Sequence, residues 1–209
     1  MRLELLIYFI LFLPMMLISL TLHEYAHGWV AYRNGDPTAK QLGRLTLNPL
    51  AHIDPFGTLL LPLLLILVDA VPLGWARPVP VNFLNLRNPK RQMIPVAAAG
   101  PLANLVLAGV LSLILRHPRI QASLLITEFL AVGAYMNIGL ALFNILPLPP
   151  LDGSRILIGL LPPRLLPAYG RLEPYGFLFI LLFWWSGFFD KILFPTVRLL
   201  GQLFGLPAL

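Results

Sequence analysis

Apolar residues gather in long blocks along this chain, separated by short polar and proline-rich breaks. Residues 3–33 form the first block, and Asn34-Gly35-Asp36-Pro37 closes it with a strong stop signal. The pattern predicts one long helix. Residues 38–56 do not read as a span. Within them, residues 41–48 alternate like a short strand, and Asn48-Pro49 and Asp54-Pro55 mark turns. Residues 57–71 are apolar but short and carry Pro62, which suits a re-entrant or interfacial segment. Residues 74–91 turn polar and basic again. Residues 93–115 and 122–146 predict a second and a third span, joined by a short connection. The third runs into Pro147-Leu148-Pro149-Pro150-Leu151-Asp152-Gly153. Residues 154–171 read as a loop or surface helix. Residues 172–185 and 188–204 form an apolar pair broken at Ser186-Gly187, either two short spans or one span plus an interfacial helix.

Composition makes the membrane reading firm. Of 209 residues, 58% are apolar and 11% charged, where soluble domains carry roughly 25% charged residues. The expected fold is an all-α polytopic membrane protein, a bundle of about four to six transmembrane or re-entrant segments with a small β-like loop region. Twenty-one prolines and sixteen glycines are many for simple spans. They suggest broken helices lining a cavity, where irregular backbone is tolerated inside a bilayer. The first block resembles a signal peptide, but it continues without a prompt cleavage site and further spans follow, so it is expected to stay. No internal repeat or separate soluble domain is visible, and residues 1–209 read as one membrane-embedded domain. The net charge of +6 fits loops obeying the positive-inside rule better than a nucleic-acid site.

One candidate chemistry stands out. His23 and His27 lie at i and i+4 near the end of the first block, on one helix face, and Glu24 follows within the same turn. This is the H-E-x-x-H arrangement of zinc hydrolases, two ligands and a base for a water. The chain has no cysteine, so a third ligand must be His, Asp or Glu. Asp152 is the best candidate. It follows a proline-broken helix end, and an acid at membrane depth is expensive unless it is paired or metal-bound. His52 and Asp54 are rivals closer in sequence.

Topology favours Asp152. Two crossings, 93–115 and 122–146, return it to the side on which the first helix ends. That side would carry Arg33, Lys40, Arg44, Arg77, Arg87, Lys90, Arg91, Arg155, Arg164 and Arg171. The other would carry Arg2, Arg116, Arg119 and Lys191. The ligand side is therefore expected to be cytoplasmic, in a cell membrane, with 57–71 re-entrant.

His23-Glu24-x-x-His27, Ala99-Gly100-Pro101-x-x-Asn104 and Asn144-x-x-Pro147-x-Pro149-x-Leu151-Asp152-Gly153 together resemble the site-2 protease family of intramembrane zinc metalloproteases. The resemblance covers residues 18–156. Gly43 to Pro49 and Ile53 to Gly57 look like its short bacterial and archaeal branch. The PDZ-like and CBS-like modules of some members, and the usual span before the zinc helix, have no counterpart in this sequence. The resemblance implies one zinc ion held by His23, His27 and Asp152, with Glu24 as general base. The expected reaction is hydrolysis of peptide bonds in membrane-spanning substrates. Partners would be such substrates and the lipid bilayer, with no nucleic acid.

Asn144 is a candidate oxyanion donor or substrate-positioning group, since an amide donates at membrane depth without charge. It reads equally well as a helix–helix hydrogen bond. Asn104 and Asn137 read as helix-packing residues, His52 as a loop-ordering residue, and Trp184 and Trp185 as interfacial anchors. The 38–56 segment could offer an edge strand to an unwound substrate. The alternative function is a divalent-metal transporter using the His and Asp cluster as a pathway. A third is a non-catalytic member that only binds membrane helices.

Overall fold

The computed structural model describes residues 2–68 and 74–207, with side chains from residue 12 onward. Helix α1 (Arg2–Arg33) is continuous through Pro14. Its 32 residues span about 48 Å at 1.5 Å per residue, beyond the roughly 30 Å of a hydrocarbon core. A short helix, α2 (Thr38–Gln41), follows. A 3-10 turn (Pro49–His52) and a π turn (Pro55–Leu60) lead into α3 (Leu61–Leu67). This is a short apolar helix, as expected of 57–71, whose last three residues lie outside the described ones.

Residues 74–82 run extended to a 3-10 turn, Phe83–Asn85. Helix α4 (Pro89–Leu115) starts where Asn88 accepts from the Arg91 amide and Pro89 takes the first position. Gln92 in turn accepts from the Asn88 amide at 2.9 Å. Then come α5 (Pro118–Gln121), α6 (Leu124–Asn144), α7 (Asp152–Leu160), α8 (Leu166–Gly170), α9 (Gly176–Trp185) and α10 (Phe194–Phe204). Gly205, at φ 76°, ends α10 in the left-handed region that glycine adopts freely.

Helix α4 is the axis of the molecule. It packs against α1, α6 and α7. Its buried side is built of small residues, Ala97, Ala99, Gly100 and Ala108, and α6 answers with Ala131, Gly133 and Ala134. Small side chains let helix backbones approach closely, which matters where lipid supplies no hydrophobic drive between helices. Beyond this contact Met15, Leu111, Leu115, Tyr135, Ile138 and Val197 fill one core.

The chain is an all-α membrane protein. Helices α4 and α6 are each long and apolar enough to cross a bilayer, and Pro163–Trp185 with Phe189–Phe204 form a further pair bent by 68°. The alternation at 41–48 does not make a strand, and none is present among the described residues. Gly43 turns the backbone through φ 64°, and the amides of Arg44 and Leu45 both return to the Ala39 carbonyl. The backbone is thus committed locally. Leu42 and Leu47 stay exposed, and of the apolar residues in the pattern Leu45 alone is partly buried, against Gly28 of α1.

Candidate metal centre

Three helices bring the expected ligands together. His23 and His27 point from α1 toward α4, and Asp152 opens α7. His23 Nε2 lies 3.1 Å from Asp152 Oδ2, and His27 Nε2 lies 3.2 Å from Asp152 Oδ1. The two Nε2 atoms are 3.0 Å apart. Tetrahedral zinc with bonds of about 2.0–2.1 Å places its ligand atoms about 3.3 Å from one another, so these separations fit.

Local sequence explains the placement. A Cβ at Gly100 would stand 2.6 Å from His23 Nε2 and closer still to His27 Nε2, so the α4 backbone itself forms the wall behind the imidazoles. Gly153 has the same necessity one residue after Asp152. A side chain there would strike the carbonyls of Ile145 and Leu146, where α6 ends.

The protonation pattern follows from groups that can only accept. His27 Nδ1 lies 2.7 Å from the Val96 carbonyl, so Nδ1 carries a hydrogen, and in the neutral ring Nε2 keeps the lone pair. His23 is oriented through two amides. Asn137 Nδ2 faces the Gly133 carbonyl at 2.8 Å, which orients its Oδ1 toward Asn104. Asn104 Nδ2 donates to that oxygen at 2.7 Å. Asn104 Oδ1 is then left to accept from His23 Nδ1 at 2.6 Å. Asn137 Nδ2 also donates to Ser19 Oγ at 2.8 Å, and Ser19 Oγ donates to the Met15 carbonyl at 2.7 Å. Ser19, Asn104 and Asn137 are all fully buried.

With both rings neutral, as metal-ligating imidazoles are, the two Nε2 atoms present lone pairs to each other and to the Asp152 carboxylate. In that state three acceptors face one another at about 3 Å, and a cation between them satisfies all three. Asp152 Oδ2 is buried and accepts no hydrogen bond, as a ligand atom would be. A nitrogen and oxygen donor set of this kind suits zinc.

Glu24 lies beside this group, half-buried, and its Oε2 accepts from the Val79 amide at 2.7 Å. Asn144 makes no hydrogen bond to His23, His27 or Asp152. It stands at the end of α6 with Nδ2 donating to Leu140 O at 3.0 Å in its own helix. The rivals serve elsewhere. Asp54 caps the π turn by accepting from the Phe56 and Gly57 amides. His52 is buried with Nε2 2.8 Å from the Thr46 carbonyl, ordering its loop.

The Ser19–Asn137–Asn104 chain is the part that sequence reasoning passed over. One signal was available: Ser19, His23 and His27 are spaced four apart on one face of α1.

The family model of peptidase family M50 matches residues 11–119 and 116–183. The chain is 42% identical over 190 residues to "Putative zinc metalloprotease YwhC" of Bacillus subtilis, covering 88% of this chain and 84% of that protein. It is 34% identical to "Putative zinc metalloprotease Rip2" of Mycolicibacterium smegmatis, covering 83% of this chain and 66% of that protein. It is 29% identical to the Mycobacterium tuberculosis protein of the same description, covering 94% of this chain and 75% of that one. No solved structure matches the chain at a significant level.

Proposed function

This chain belongs to peptidase family M50, the site-2 protease family, and from that membership we propose that it hydrolyses peptide bonds of membrane-spanning proteins within the bilayer. The observation that carries the proposal is the cluster of His23, His27 and Asp152 among apolar helices, with Glu24 next to the first ligand. We assign the chain one zinc ion and the H-E-x-x-H mode of action, in a single catalytic domain over residues 1–209.

Zinc, when bound, acts as a Lewis acid that acidifies water and polarises the substrate carbonyl. The chain's own residues do the rest. His23 and His27 are neutral ligands whose rings are fixed by Asn104 and the Val96 carbonyl. Asp152 supplies the negative charge. Glu24 takes a proton from the attacking water and returns it to the leaving amine. One Glu24 oxygen is occupied by the Val79 amide, which leaves Oε1 to face the water. Asn144 has one of its two Nδ2 hydrogens on Leu140 O. We assign the other to the substrate carbonyl or its oxyanion.

The substrate helix must unwind before cleavage, because its carbonyls are bonded internally. The excess of Lys and Arg on the loops flanking the ligands supports a cytoplasmic-facing site in the plasma membrane.

The test is reconstitution in liposomes with a single-span reporter peptide. Cleavage that stops on zinc chelation and returns with zinc supports a protease. Transport of zinc into the vesicle lumen without cleavage would favour a transporter instead.

A further inference from the structure

The extended segment 74–82 crosses α1 directly over Glu24. Its odd-numbered amides find backbone partners: the Trp75 amide donates to the Gly57 carbonyl at 3.1 Å and the Arg77 amide to the His52 carbonyl at 2.9 Å. Val79 continues the alternation, but its amide meets a side chain, Glu24 Oε2, at 2.7 Å. Pro78 and Pro80 flank it, so Val79 carries the one amide hydrogen in the Pro78–Pro80 stretch. Gly28, four residues after Glu24 on the same face of α1, makes room. A Cβ there would stand 2.8 Å from Val79 Cγ1 and 3.2 Å from Leu45 Cδ1.

Arg44 grips the carbonyls of the same stretch. Arg44 Nη2 donates to the Arg77 carbonyl at 2.9 Å and to the Pro78 carbonyl at 3.3 Å. The Pro78 carbonyl and the Val79 amide belong to the same peptide plane, so the guanidinium grips the unit whose other end grips Glu24. The bends at Gly43 and the return of the Arg44 amide to Ala39 aim the side chain at it.

We propose that Arg44 is a positioning residue for Glu24. It acts through the Pro78–Val79 peptide unit, and neither Arg44 nor Val79 touches the metal ligands. The guanidinium fixes the peptide plane, and the plane's N–H fixes which carboxylate oxygen is turned toward the water. The inference rests on Glu24 being the general base, yet the contact itself is readable without catalysis.

Two measurements test it. The first is hydrogen exchange of the Val79 amide in detergent-solubilised wild-type and Arg44→Gln protein. The amide should exchange slowly in wild type and at least about tenfold faster in Arg44→Gln, since a lost constraint raises local opening. Unchanged exchange overturns the inference, whether or not any substrate is cleaved.

The second uses a single-span fluorogenic reporter in liposomes. Arg44→Gln should lower kcat about tenfold with KM within twofold, as a misplaced general base does. Arg44→Lys should recover part of that loss. In a Val79→Pro background, which lacks the N–H, Arg44→Gln should have no further effect. Additive losses would overturn the inference, as would a rise in KM at constant kcat. Failure of the wild type to cleave any reporter would count against the protease reading and leave the exchange result to decide the contact.

Discussion

Replacing Asn104 by leucine tests whether the buried amides serve the metal or only the packing. Leucine keeps the branched outline, is somewhat larger and favours the helix more, and it removes the acceptor for His23 Nδ1–H and the donor to Asn137. Outer-sphere partners of a metal-bound histidine are worth about 10–100-fold in metal affinity, or about 1.4–2.8 kcal/mol. The cost to the fold should be smaller. Hydrogen bonds between helices in membranes average about 0.6 kcal/mol, and Asn137 keeps its bonds to Gly133 and Ser19. The metal loss should therefore exceed the stability loss. Ser19→Ala, two links further from His23, should weaken zinc by no more than a few-fold. The assay is competition with a chromogenic chelator in detergent, alongside thermal unfolding of the zinc-free protein. Zinc binding like wild type by Asn104→Leu, or zinc loss only in proportion to unfolding, would show that the amides serve packing alone.

Two further outcomes follow from the geometry. Gly100→Ala places a methyl group against both imidazoles and should abolish stoichiometric zinc binding while leaving the helical circular dichroism in place. Normal zinc content in that variant would contradict the close contact. Asp36, in the loop after α1, is buried, which pushes its carboxyl upward. Donations from Thr38, Asn85 and the Asn82 amide outweigh this and hold it below the ordinary value of 3.8. A depressed carboxylate contributes stability that is fully present above pH 3.8 and is lost as pH falls through the folded value. The difference in unfolding temperature between wild type and Asp36→Asn should hold near neutral pH and shrink below that point. A difference independent of pH would refute the assignment.

The parts that were legible in the sequence share a physical reason. Spans announce themselves through length and hydropathy, and helical spacing brings His23 and His27 to one face without any tertiary knowledge. Asp152 was legible because an acid after a proline-broken span has few uses, and because two crossings return it to the correct end. The amide chain was not, since a buried asparagine reads the same whether it bonds a helix or a ligand. Only the acceptor-only carbonyl of Gly133 orients Asn137 and, through it, Asn104 and His23. The strand expected at 41–48 fails for a related reason. Alternation states which residues differ in polarity, but a strand also needs a partner edge, and this segment bonds back onto α2. The extended backbone beside Glu24 comes instead from 74–82, whose prolines gave it the look of a plain loop.

The most direct test of the whole account is Glu24→Gln in reconstituted liposomes, with zinc content and cleavage of a single-span substrate measured on the same preparation. Glutamine keeps the size of the side chain and a carbonyl for the Val79 amide, and removes only the base. About one zinc per chain is expected in both proteins, with cleavage by the wild type and a loss of at least about 10²-fold in the variant. Undiminished cleavage by zinc-loaded Glu24→Gln protein would contradict the role of Glu24 as general base.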